Sequence, residues 1–213
     1  AGAGGGGSPT IMQLALLGVG TIKVCDFDDV ELSNLNRQFL HNSERLGVNK
    51  ALSAAMTVNK INPHVNIIPI TQKLTRENVF ELVGDSNVIF DMFDGPADKF
   101  VLSECAVAKQ IPHVIIAMTD LNAYSAVLHT PHTPCLHCLF DREKLETIIS
   151  GMRHNVDNYS KNPLAVSCPS LFISTGTAVN EALKILLGFE GPAYNKFFYF
   201  NQRGPAENLS TTT

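Results

Sequence analysis

The chain has 213 residues, 45% of them hydrophobic and 17% charged, with a formal net charge of -4 at pH 7. That length buries one substantial core, so residues 1–213 are expected to form a single unit, and the mild negative charge without a long basic run argues against a nucleic-acid partner. Five irregularly spaced cysteines make no disulfide framework, no apolar stretch approaches the roughly 20 residues of a bilayer span, and no targeting pattern opens the chain, so a soluble, cytoplasmic protein without a membrane partner is expected.

In chain order, a glycine run, Gly2 to Gly7 with Ser8, precedes an apolar helical stretch carrying Ile11, Met12, Leu14, Ala15 and Leu17. Pro9 in its first turn and Gly18 and Gly20 after its last are the start and stop signals of a helix. A strand is expected over Thr21 to Phe27, then an irregular segment with Ser33, Asn34 and Arg37, then a helix over Val48 to Lys60. Strands over Val65 to Ile70, Asn87 to Met92 and His113 to Met118 alternate with helices over Arg76 to Val83 and Ala97 to Gln110. Near-continuous apolar strands alternating with helices predict an α/β fold: a Rossmann-like, doubly wound, mostly parallel sheet with helices on both faces. The second half differs. Tyr124 to His129 reads as a strand, residues 141 to 168 as a long crossing loop after the Cys135-x-x-Cys138 pair, Leu171 to Leu187 as an amphipathic helix and Lys196 to Phe200 as a strand. A phosphate-binding glycine loop is normally delivered by a strand, so a strand missing ahead of Ala1 is expected, and with it a natural protein that begins earlier.

The loop contains the spacing G-x-G-x-x-G. Glycines let backbone amides approach phosphates closely and present them at a positively polarised helix end. A Gly-Gly-Gly-Gly-Ser run is also the composition of a flexible linker, but a linker does not require Asp26, an acid at the end of the next strand where nucleotide folds receive ribose hydroxyls. Asp26 and Asp28 also read as a solvated strand-end pair. Loop and acid together leave two enzymes open: a nicotinamide- or flavin-dependent oxidoreductase, or an ATP user.

Arg37 and Lys50 favour the second. A triphosphate carries more charge than a dinucleotide bridge, and its reacting phosphorus gathers more in the transition state. Asp94, in Asp91-Met92-Phe93-Asp94-Gly95, follows a strand at the carboxyl edge where open sheets bind ligands, and a carboxylate there suits Mg2+, which takes one or two carboxylates plus phosphate oxygens.

With Asp26-Phe27-Asp28, Glu31-Leu32-Ser33-Asn34-Leu35-Asn36-Arg37-Gln38, Gly47-Val48-Asn49-Lys50-Ala51, Asn62-Pro63, Asp94 and Cys135-x-x-Cys138 in this order behind the glycine loop, the chain resembles the ThiF/MoeB superfamily, which includes the ubiquitin-activating enzymes. The resemblance implies ATP- and Mg2+-dependent adenylation of a carboxylate, commonly the terminal glycine of a ubiquitin-like or sulfur-carrier protein. It implies ATP contacts from Gly2, Gly4, Gly5, Gly7, Asp26, Ser33, Asn34, Arg37 and Lys50, with Asp94 serving the metal and triphosphate. Arg37, Lys50, Asp94 and Asn34 would carry catalysis. A carboxylate with a pKa of about 3.5 is already ionised at neutral pH and needs no general base.

Cys135 and Cys138 have zinc-ligand spacing. Relatives complete such a site with a second Cys-x-x-Cys pair, absent here, so the other ligands lie beyond Thr213, or His132 or His137 substitutes, or two thiols simply share a turn. Cys168 sits at a helix amino terminus, where a thiolate is stabilised, but a purely adenylating enzyme without a thioester step is expected. The resemblance also implies a homodimer. Alternative substrates are a short peptide or a small-molecule carboxylate, and a non-catalytic scaffold on the same fold is a further alternative.

Overall fold

The computed structural model describes residues 1–119, 122–141, 167–192, 194, 196–201 and 210–212. The first helix, α1 (Gly7–Leu16), follows the glycine loop directly and turns Ile11, Leu14 and Ala15 inward, a spacing of three and four residues that lines one helical face. Gly18, at φ 75°, ends it in the left-handed region that glycine adopts at little cost. Strand β1 (Thr21–Cys25) leads to two short 3-10 turns, Leu32–Asn34 and Ser43–Arg45. Then come α2 (Lys50–Ile61), β2 (Asn66–Ile70), α3 (Val79–Val83), β3 (Ile89–Asp91), α4 (Pro96–Lys109) and β4 (His113–Thr119). The remaining elements are β5 (Asn122–Leu128), α5 (Leu136–Leu139), α6 (Cys168–Leu186), β6 (Phe197–Asn201) and β7 (Ser210–Thr212).

β1 pairs with β2 and β3 with β4, both parallel, and β4, β5, β6 and β7 continue as antiparallel neighbours. The strand periodicity distributes the core over both faces. Ile22 and Val24 point to a cluster with Ile11 and Leu14 of α1 and Ala54 and Val58 of α2, whereas Cys25 points to Val79, Val83 and Leu102 of α3 and α4. Val114 and Ile116 of β4 meet Ala178 and Ala182 of α6, and Ile115 between them meets Phe100 of α4 and Leu136 of α5. Helices therefore cover both faces, as the alternation predicts, and each fully buried Val, Leu or Phe contributes about 1.5–3 kcal/mol.

Ala1 and Gly2 lie between β1 and β3 and bond to both. The Ala1 nitrogen donates to the Phe90 carbonyl at 2.7 Å, Met92 N–H to the Ala1 carbonyl at 2.9 Å, and Gly2 N–H to the Cys25 carbonyl at 2.8 Å. The glycine loop thus leaves from the middle of the strand array. Beside this point an apolar cavity of about 890 Å³ separates β1 from β3, lined by Leu14, Ile22, Val24, Ile89, Phe90 and Leu183; none of Asp26, Arg37, Lys50 or Asp94 borders it.

Several elements depart from expectation, among them α5, which was not expected, and α6, which starts at Cys168 rather than Leu171. α3 begins at Val79 rather than Arg76, because Asn78 folds the chain ahead of it: its Oδ1 accepts from Thr75 N–H at 2.8 Å and its Nδ2 donates to the Lys73 carbonyl at 2.9 Å. β1 stops at Cys25, two residues short of Phe27, where Asp26 starts a turn with its carboxylate on Asp28 N–H. The short polar strand β7 exists by pairing with β6. Within the expected crossing loop, residues 142–166 lie outside the described residues.

Candidate functional site

The site forms where the glycine loop, the end of β1 and the start of α2 converge. Gly2, at φ 90°, turns the chain out of the sheet, and a side chain on Gly7 would collide with the Gly2 carbonyl, so the loop closes on itself only with glycine there. Ser8 N–H donates to the Gly4 carbonyl at 2.9 Å and Thr10 N–H to that of Gly6 at 3.4 Å, while the N–H groups of Gly4, Gly5, Gly6 and Gly7 have no partner among the described residues. Free amides at the start of a ten-residue helix make a cradle for negative charge.

Asp26, only 7% exposed, is built into this cradle. Its Oδ2 accepts Ala3 N–H at 2.7 Å and its Oδ1 accepts Asp28 N–H at 3.0 Å, so the acid fixes the loop and leaves one further lone pair on each oxygen. Lys50 opens α2 and is 7% exposed, with its ammonium 3.0 Å from Asp28 Oδ2. Asn49 places it: Oδ1 caps the helix by accepting from Ala51 and Leu52 at 2.9 and 3.3 Å, and Nδ2 donates to the Asp26 and Asp28 carbonyls at 3.0 and 3.2 Å.

Arg37 lies over the loop, its stem 3.6 Å from where a Gly5 side chain would begin, with its guanidinium on the Ser33 carbonyl at 3.2 Å and Asn36 Oδ1 at 2.9 Å. Ser33 Oγ donates to Glu31 at 3.2 Å and receives Asn34 Nδ2 at 3.2 Å. Five buried side-chain atoms have no partner among the described residues: Ser8 Oγ, Asn34 Oδ1 and Gln38 Oε1, and, away from the glycine loop, His113 Nδ1 and Ser125 Oγ. Buried polar atoms are normally satisfied; Ser8, in the first turn of the helix behind the glycine loop, and Gln38, beside Gly4, are two that are not. Ser8 and Gln38 were not among the expected site residues; Gln38 stands next to Arg37, and its amide lies 3.5 Å from where a Gly4 side chain would begin.

Asp94 is exposed, in the bend between β3 and α4. Its neighbour Asp91 is fully buried and anchors that bend: Oδ1 takes Lys99 Nζ at 3.0 Å and Phe93 N–H at 3.1 Å, and Oδ2 meets His113 Nε2 at 3.1 Å. Burial opposes ionisation of Asp91, yet the Lys99 charge and the bonds from His113 and Lys99 hold its carboxyl well below the usual carboxylate range. Asp91 is therefore structural and Asp94 is the open acid.

Cys135 and Cys138 stand at α5, remote in sequence from this loop, with their sulfurs 3.5 Å apart. No group of three or more metal-ligating side chains occurs among the described residues, and His137, a suggested substitute ligand, bonds Glu104 at 3.0 Å instead. Cys168, at the start of α6, donates to the Asn36 carbonyl at 3.2 Å, which puts this thiol beside the Arg37 turn.

The model of the ThiF family matches residues 1–211. The adenylyltransferase and sulfurtransferase UBA4 of Kluyveromyces lactis is 32% identical over 188 residues, covering 88% of this chain and 40% of that protein. The SAMP-activating enzyme E1 of Haloferax volcanii is 39% identical over 139 residues, covering 65% of this chain and 51% of that one. Among solved structures, PaaA superposes with a TM-score of 0.78 at 25% identity, over 99% of this chain and 61% of that one. E. coli MccB, in a crystal with ATP, superposes with 0.82 at 18%, over the whole of this chain and 61% of that one, a likeness of fold. The chain spans about half the length of the curated relatives it matches. With a glycine loop between two strands, an acid bonded into it and a family match running through nearly every residue, the chain belongs to the ThiF family.

Proposed function

We propose that this domain uses ATP and Mg2+ to adenylate a carboxylate, in the first place the carboxyl terminus of a ubiquitin-like or sulfur-carrier protein. The observation that carries the reading is the convergence of unpaired Gly4 to Gly7 amides with Arg37 over Gly5. That surface suits a triphosphate better than the single pyrophosphate bridge of a dinucleotide. The similarity to UBA4, an adenylyltransferase and sulfurtransferase, and to the SAMP-activating enzyme E1 supports the substrate class.

In this reading the free backbone amides and Gln38 Nε2 donate to phosphate oxygens, and Asp26, through its remaining lone pairs, accepts from the ribose hydroxyls. Lys50 exchanges Asp28 for phosphate, and Arg37 and Asn34 face the transferred and leaving groups. The substrate carboxylate oxygen attacks the α-phosphorus, the bond from that phosphorus to the bridging oxygen breaks, and pyrophosphate leaves with the electron pair. No proton moves, so a site of cations without a His/Asp pair suffices. Asp94, exposed on the same loop edge, would hold Mg2+, which supplies charge neutralisation at the phosphates when bound. Zinc is a weaker fit: Cys135 and Cys138 offer two of the four ligands a tetrahedral site needs, and the mechanism routes nothing through it.

The carboxyl terminus of a short peptide is the second reading; crystals of MccB with the peptide MccA favour it only at the level of fold. We propose a homodimer as the assembly. The deciding experiment is a pyrophosphate-exchange screen with purified protein, Mg2+, ATP and a panel of ubiquitin-like proteins and peptides, each with a free or an amidated carboxyl terminus. Exchange with a free terminus alone supports the reading; ATP binding without exchange on any candidate turns it toward a non-catalytic scaffold.

A further inference from the structure

His41 is a buried titratable side chain that the adenylation chemistry does not use, 5% exposed, on the segment that follows Gln38. Its Nε2 is 2.9 Å from the Ala3 carbonyl and its Nδ1 is 2.9 Å from Ser53 Oγ. A carbonyl only accepts, so Nε2 carries the hydrogen, and in the neutral ring Nδ1 then accepts from the Ser53 hydroxyl. Burial first, and then the Lys50 and Arg45 charges, push the imidazole below its ordinary pKa, against the opposing pull of the Ala3 carbonyl and Asp26. The neutral, Nε2-protonated ring is therefore the resting form.

Each end of this link is fixed. Ser53 lies one turn into α2 from Lys50, and Arg45 holds it by donating to its carbonyl at 2.8 Å and its hydroxyl at 3.3 Å. Ala3 gives its N–H to Asp26 and its carbonyl to His41, so both of its polar groups are held. A trans peptide points its carbonyl and its N–H in opposite directions. With the Ala3 carbonyl turned to His41, the Gly4 N–H points away from it, into the cradle.

We propose that His41 is a positioning residue for nucleotide phosphates: it locks the Ala3–Gly4 peptide so that the Gly4 amide faces the phosphates, and through Ser53 it ties that amide to the helix carrying Lys50. This rests on the ATP reading of the site. A histidine that merely filled the core would affect every ligand alike, whereas a positioning residue acts only on ligands with phosphates.

The test measures binding of adenosine, ADP and MgATP to wild type, His41→Leu, His41→Gln and Ser53→Ala, with folding followed by circular dichroism. His41→Gln keeps an amide donor for Ala3. We expect His41→Leu to weaken MgATP by about tenfold, the scale of one charge-assisted hydrogen bond, while adenosine stays within about twofold. His41→Gln should recover most of the loss. MgATP binding unchanged in a folded His41→Leu, or adenosine and MgATP weakened equally, overturns the proposal. Should His41→Leu fail to fold, Ser53→Ala, which frees the ring, is read by the same comparison, and unchanged MgATP binding there overturns it. A wild type that does not bind MgATP removes the ATP reading and this inference together; a wild type that binds while the variants are unaffected removes the inference alone.

Discussion

Lys50 rests against Asp28, and that contact sets what its removal does. The Asp28 side chain is half-exposed but that of Lys50 is buried, so Lys50→Ala also deletes a buried stem and is expected to cost about 1–3 kcal/mol of stability. Arg37 and Asp94 bond loosely or lie open, so their truncation is mild for the fold. We predict that Arg37→Ala, Lys50→Ala and Asp94→Ala each reduce ATP–pyrophosphate exchange by about 100-fold or more, the scale of losing a charge-stabilising group, with melting temperature nearly unchanged in Arg37→Ala and Asp94→Ala. Retained exchange in Asp94→Ala would count against the metal role. Asp91 behaves in the opposite manner. Removing its charge leaves Lys99 buried without its partner, so Asp91→Asn is expected to cost about 3–5 kcal/mol, seen as a lower denaturation midpoint. Sequence reading singled out Asp94 and gave Asp91 no role, and nothing local in the sequence reveals a carboxylate that faces Lys99 and His113.

At the scale of elements, the turn between β1 and α2 carries a pH dependence. His41 has a folded pKa below its ordinary value of 6.5, so protons bind more readily to the unfolded chain. The contribution of neutral His41 is complete above about 6.5 and is lost as pH falls through the folded pKa. Melting temperature should therefore drop between pH 7 and pH 5.5 in wild type and drop less in His41→Gln; equal slopes would contradict it. Elements themselves were legible where period and caps agree: α1, α2 and α4 were all expected, and each apolar strand was found within a few residues of its predicted span. Physical causes account for the exceptions. Asn78 spends its side chain on the backbone ahead of α3, and β7 is a polar triplet that pairs with its neighbour β6.

For the whole molecule, one test separates the two enzyme classes that the glycine loop and Asp26 leave open. A ligand at 100 times its dissociation constant stabilises the folded state by about 2.7 kcal/mol, so MgATP should raise the melting temperature by several degrees and NAD or FAD should leave it unchanged. Stabilisation by NAD instead would move the domain to the oxidoreductase reading. No helix among the described residues is long and apolar enough to cross a membrane.

The sequence by itself determined the alternation of strands and helices and the order of the candidate residues along the chain. Both depend on spacing and local chemistry: glycines where a side chain would collide, apolar residues at periods of two and three to four, an acid at a strand end. Tertiary structure decided which polar groups meet. It placed Asp26 on Ala3, Lys50 on Asp28, Asp91 on Lys99 and His113, and His41 between Ala3 and Ser53. Those contacts join residues far apart in the chain, and no periodic pattern encodes a hydrogen bond between two separate turns.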